Sequence, residues 1–214
     1  LEANKIKLST VIISIAVIVI VEITTRLLIT HNHLAHLTGL GLARLAEIIL
    51  LLIIVKVWQQ HLSTIGLASS KIYYGIKKGL VWAVAFGVAA GIVLLIIHLV
   101  GINLSGLFQM RLPSESSRLV TFLLVGALIA PIAEEIFFRG ILYSFFRRWG
   151  IPTAVILSTI LFILPHSSGT TLPVTQLIGG ILFAVSYEIE KNLWVPIMIH
   201  SLGNLAIFTL ALLI

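Results

Sequence analysis

The chain has 214 residues, of which 59% are hydrophobic and 10% charged, with a net charge of +6 and a mean hydropathy of +1.14. Soluble globular domains carry roughly 25% charged residues, so this composition excludes one and specifies an integral membrane protein. Cysteine is absent and all eight acids are glutamates, which excludes disulfides, a thiol nucleophile, Cys-ligated zinc and paired-aspartate catalysis.

A bilayer core takes about 20 apolar residues of helix. Seven stretches meet or approach that length: 8–30, 40–58, 80–100, 118–147, 152–166, 173–189 and 193–213. Lipid offers backbone groups no hydrogen-bond partner, so these must be helices. The predicted fold is all-α, a polytopic bundle of about seven transmembrane helices in a single domain, 1–214, with a motif-bearing core from about 118 to 214.

In the first stretch, Lys5 and Lys7 ahead of an apolar run imitate a secretion signal. The run continues to about Leu28 without a small-x-small cleavage site, so a retained first span is expected. Glu22 with Arg26, and Arg44 with Glu47 in the second stretch, are spaced for pairing within one helix. His31, His33 and His36 share no helical face, which marks a solvated loop better than a metal site. Residues 61–79 mix Lys71, Lys77 and Lys78 with Tyr73 and Tyr74, as a helical segment lying on the membrane surface would. Pro152, Pro173 and Pro196 fall in the first turns of the last three stretches, where a missing N–H does little harm.

Basic residues flank these spans and form no single stripe, which favours a membrane surface over nucleic acid as partner. A cytoplasmic N-terminus puts Lys56, Lys71, Lys77, Lys78, Arg147, Arg148 and Lys191 on the inner side. It leaves chiefly Arg26, Arg44, Arg111 and Arg118 near the outer one, with the C-terminus outside. Trp58, Trp82, Trp149 and Trp194 then all lie at the inner interface. The short chain and bare loops suggest a prokaryotic cytoplasmic membrane.

Three polar constellations sit at membrane depth. A carboxylate at the centre of a membrane helix costs about 2.5–3.5 kcal/mol on insertion scales, so such groups line an interior or a water-filled cavity. Positions four apart share a helical face, which pairs Glu135 with Arg139 and turns Glu134 elsewhere. Glu134 is then the working carboxylate, and Pro131 one turn earlier is placed to kink the helix. Counted inward from the connection at 149–151, Glu134 and His166 are each about 14 residues deep, some 21 Å along adjacent antiparallel helices. A carboxylate and an imidazole at one level can activate a water as general base.

Phe162 shares a face with His166 and is expected to pack beside it. His200 and Asn204 project from one face of the last helix, where both can donate hydrogen bonds to a tetrahedral oxyanion. The implied reaction is attack of water on a peptide carbonyl without a covalent intermediate. Each constellation also has a structural reading: a Glu135–Arg139 brace, satisfied core histidines, and a His-x-x-x-Asn pair that glues helices. No His-Glu-x-x-His and no Gly-x-Ser-x-Gly occurs.

Glu134-Glu135-Ile136-Phe137-Phe138-Arg139-Gly140, then Phe162-x-x-x-His166, then His200-x-x-x-Asn204 resembles the three-motif signature of the CAAX protease and bacteriocin-processing (CPBP, or ABI) family of membrane endopeptidases. The resemblance runs from Pro131 into the last span. It implies that Glu134 and His166 activate water, that His200 and Asn204 form the oxyanion site, and that Glu135 and Arg139 support them. It further implies a cavity open to the cytoplasm and the membrane, and a metal-free glutamate mechanism, with no cofactor. If a zinc ion is used instead, Glu134, His166 and His200 are its three ligands.

The expected partners are the bilayer and a peptide or protein substrate, lipidated or membrane-associated, with no nucleic acid. The competing functions are a non-catalytic immunity or scaffold protein of the same fold, and a transporter relaying protons through buried Glu and His. The transporter ranks last because no inverted repeat is present.

Overall fold

The computed structural model describes residues 6–31, 35–101, 112–167 and 173–213, and among them every regular element is helical. In chain order these are α1 (Leu8–Thr30), α2 (His36–Gln59), α3 (Ile72–Leu99), α4 (Ser116–Trp149), α5 (Ile151–His166), α6 (Val174–Glu190) and α7 (Trp194–Leu213). Four candidate membrane spans qualify by length and composition: Leu8–Thr30, Leu62–Leu99, Ser116–Trp149 and Trp194–Leu213. The expected count of about seven is thus met by helices but by only four such spans. α2 carries Arg44, Glu47 and Lys56, while α5 and α6 are short.

The expected surface segment 61–79 divides in two. Two 3₁₀ turns, Leu62–Ile65 and Ser69–Lys71, precede α3, whose first turns take up Ile72 to Gly79. His31 follows α1, His36 begins α2, and His33 and Arg111 lie outside the described residues.

The core is built by α2 (Leu51, Ile54, Val55), α4 (Ile136, Ile141, Tyr143), α5 (Phe162), α6 (Ala184, Tyr187) and α7 (Ile197, Ile199). Leu8, Ile12, Ile15, Val19 and Ile23 leave α1 with an apolar outer face. α3 buries only Gly75 and Gly79. A Cβ on Gly79 would come 2.5 Å from the Met198 Cβ, so this glycine lets α3 seat against α7. Lipid tails are as apolar as leucine, so helices in a bilayer associate through close packing and polar contacts, not through hydrophobic expulsion.

Polar clasps accordingly close one end of the bundle. Glu188 accepts from Arg147 Nε and Nη2 at 3.0 Å each and from the Tyr143 hydroxyl at 2.8 Å, and Lys191 joins the cluster. Glu190 accepts from Trp82 Nε1 at 3.0 Å and Tyr74 at 3.1 Å, tying α3 to α6. These two acids are therefore clamps between helices. Buried Asn192 receives the Trp194 N–H on its Oδ1 at 3.0 Å, opening α7, and donates from Nδ2 to the Lys71 carbonyl at 2.9 Å. Replacing a capping side chain by Ala costs about 0.5–2 kcal/mol. Asn192→Ala is expected to lose at least that much, read as a lower thermal midpoint in detergent; an unchanged midpoint would remove Asn192 from this role.

Candidate active site

Glu134 and Glu135 lie between two π-helical turns of α4, Val125–Ile129 and Ile136–Tyr143. Pro131 accounts for the first. Within this turn the Ala130 N–H bonds to the Val125 carbonyl, five residues back. The next bond in that register would run from residue 131 to Gly126, but proline has no N–H. Asn204 fills the vacancy from α7, donating from Nδ2 to the Gly126 carbonyl at 2.8 Å. One of its two amide hydrogens is thereby committed to joining α7 and α4.

Glu135 is fully buried and its Oε1 accepts from two sides, Arg139 Nη1 at 3.1 Å and His200 Nδ1 at 2.8 Å. Arg139, also fully buried, donates from Nη2 to the Gly180 carbonyl at 3.1 Å. Its guanidinium lies over the rings of Phe162, 4.5 Å from centroid, and Phe183, 5.2 Å away. Gly180 lets α6 seat close against α5, since a Cβ there would stand 2.9 Å from Thr159 Cγ2. Glu135 Oε2 and Arg139 Nε stay without a protein partner.

α5 ends at Pro165 and His166 after 16 residues, about 24 Å, less than a bilayer core. Its last carbonyls need donors: the His166 Nδ1–H serves Phe162 at 2.8 Å, and the Ser167 hydroxyl serves Ile163 at 3.1 Å. A carbonyl only accepts, so the His166 proton is on Nδ1 in the neutral ring and Nε2 carries the lone pair. That Nε2 faces Glu134 Oε2 at 4.0 Å. His200 Nε2 faces the same oxygen at 3.8 Å. With Nδ1 of His200 donating to Glu135, a hydrogen bond from its Nε2 requires the doubly protonated ring. Phe183 stacks on the His200 ring at 4.6 Å, and Phe162 packs against the His166 ring at 4.9 Å.

Glu134, His166 and His200 therefore converge, with side chains 17%, 30% and 7% exposed. Gaps of 4.0 and 3.8 Å are too long for direct hydrogen bonds but suit one water bonded to both sides. Glu135, Arg139 and Phe162 stand directly behind them. Asn204 lies one turn further along α7. Among the described residues no three His or Glu side chains form a metal-binding cluster.

Phe183 and the Gly180 carbonyl escaped the sequence reading. α6 carries no motif, and only its glycine pair at 179–180 hints at a close helix contact. Glu22 also departs from expectation: it reaches Arg44 across the α1–α2 interface at 2.7 Å, in place of the anticipated Arg26.

Residues 116–206 match the family model described as type II CAAX prenyl endopeptidase Rce1-like, in agreement with the resemblance drawn from the three motifs. No curated protein and no solved structure matches the chain.

Removing one partner of a buried ion pair costs about 3–5 kcal/mol because the other charge is left uncompensated. Arg139→Gln is expected to destabilise the protein by that order, and Glu135→Gln/Arg139→Gln by less than the single change. Chemical unfolding in detergent checks this; equal losses would show that the charges are not coupled.

Proposed function

We propose, from the match of residues 116–206 to the family model described as type II CAAX prenyl endopeptidase Rce1-like, that this membrane protein is a glutamate-dependent intramembrane endopeptidase. Glu134 and His166 hold the attacking water, and the Glu134 carboxylate takes its proton as the oxygen adds to the scissile carbonyl. His200 Nε2 and the second Asn204 N–H donate to the resulting oxyanion. Glu135 and Arg139 hold the His200 ring in register. The observation that carries this reading is the approach of two imidazole Nε2 atoms to a single Glu134 oxygen at 4.0 and 3.8 Å.

The end of α5 part-way across the bilayer supports a water-filled cavity there, because lipid does not tolerate unpaired backbone. We propose that α2, α5 and α6 also lie within the membrane, giving seven segments. Lys56, Lys71, Arg147, Arg148 and Lys191 at alternate connections support a cytoplasmic N-terminus. The substrate proposed is a peptide or protein held at the membrane, in keeping with the prenylated tails named for the family, and the mechanism uses no metal.

In purified protein Glu134→Gln should lower peptide cleavage by about 100-fold or more while leaving the thermal midpoint near that of wild type. Retained turnover would dismiss the assignment and favour a non-catalytic scaffold. Wild-type turnover should persist in strong chelators. Loss on chelation with recovery on zinc alone would replace the metal-free mechanism by one ligated through Glu134, His166 and His200.

A further inference from the structure

The bond to Glu135 fixes one corner of the His200 ring, at Nδ1, and leaves the ring able to pivot about that corner. The proposed hydrolysis needs the opposite nitrogen, Nε2, held at its 3.8 Å approach to Glu134. A hydrogen bond at one atom does not define the plane of an imidazole, whereas a flat surface beside it does.

α6 supplies that surface. Phe183, 7% exposed, lies against the His200 ring with centroids 4.6 Å apart and planes 20° from parallel. Phe162 of α5 meets the same imidazole edge-on, at 5.7 Å and 82°, and braces Phe183 at 6.1 Å and 81°. A face on one side and an edge on another, added to the bond at Nδ1, leave the ring one orientation. The Arg139 guanidinium lies 5.2 Å from the Phe183 centroid, so both donors to Glu135 Oε1 adjoin this one phenyl ring.

The place of Phe183 depends in turn on Gly179, one turn back on α6. A Cβ at 179 would stand 3.2 Å from Phe183 Cζ and 3.3 Å from Cε2. Carbon atoms pack best at about 3.5–4.0 Å, so a side chain there would push the phenyl ring aside. The two neighbouring glycines therefore have separate uses: Gly180 seats α6 on α5, and Gly179 leaves room for the ring. We infer that Phe183 is a positioning residue for the hydrolytic site: it sets the plane of the His200 ring and with it the place of Nε2 beside Glu134, and Gly179 sets the place of Phe183. The inference rests on the hydrolytic reading given above.

The test combines steady-state peptide cleavage by the full chain in proteoliposomes, with Glu134→Gln as control, and NMR of the histidine-labelled protein in detergent. The His200 signals are assigned by their loss in His200→Gln. Phe183→Leu keeps an apolar side chain but removes the flat face. Its kcat should fall about tenfold or more with KM little changed, since a misplacement of about 1 Å can cost about 100-fold. The His200 ring protons, shielded by the stacked phenyl ring in wild type, should move downfield. Gly179→Ala should shift the same signals and lower kcat about threefold, with a thermal midpoint no lower than wild type because alanine is the better helix former. Added to Phe183→Leu it should cost nothing more, since the ring through which it acts is gone.

A packing contact without influence on His200 predicts instead a lower thermal midpoint in Phe183→Leu, an unchanged kcat, and independent effects of the two substitutions. A wild-type kcat in Phe183→Leu, independent effects, or His200 signals that stay in place overturns the inference. Should Phe183→Leu not fold, Gly179→Ala decides alone: displaced signals with lowered kcat uphold the inference, and wild-type kcat or unmoved signals contradict it. Turnover retained by Glu134→Gln would defeat the underlying hydrolytic reading, a different result that leaves the NMR response of His200 unaffected.

Discussion

One carboxylate oxygen organises the centre of this protein. Glu135 Oε1 binds Arg139 of its own helix and His200 of α7, in a place that water does not reach. Both bonds are charge-assisted, and leaving a carboxylate buried without them would be among the costliest defects available to the fold. The bond to His200 fixes which nitrogen looks inward. The bond to Arg139 extends the network to the Gly180 carbonyl on α6, so that α4, α6 and α7 are joined through two side chains.

Around that centre the backbone departs from regular helix on the elements that carry Glu134 and His166. In the π turn before Pro131 the Ala130 N–H goes to Val125, Pro131 has no N–H to give Gly126, and Asn204 repairs that carbonyl from α7. π turns recur at functional sites, and this one displaces the Glu134–Glu135 pair relative to the helix before it. α5 supplies a histidine by stopping short: its final turn is secured by the His166 ring itself, which thereby presents Nε2 to Glu134.

Much of this was readable from the residues. Hydropathy located the helices to within a few positions, apart from α3, which begins at Ile72 and whose Tyr74 and Trp82 bond to Glu190 of α6. Periodicity paired Glu135 with Arg139 and turned Glu134 away from them, and counting from the α4–α5 connection put Glu134 level with His166. The rest depended on contacts between segments distant in sequence. Nothing in the spacing tells that Glu135 reaches His200 across 65 positions, that Phe183 stacks on that ring, or that Arg44 is shared between two helices. Short-range rules treat each helix alone, so they do not find the partners of Glu188 on α4 or of Glu190 on α3.

The central claim is that Glu134 meets the Nε2 atoms of His166 and His200 across a single ordered water. An experimental structure of the wild-type protein in lipid, at a resolution that shows waters, tests it most directly. The account predicts a water about 2.6–3.2 Å from Glu134 Oε2 and from at least one of the two nitrogens. A site closed by packed hydrocarbon, or a Glu134 turned away to pair with Arg44, would contradict it.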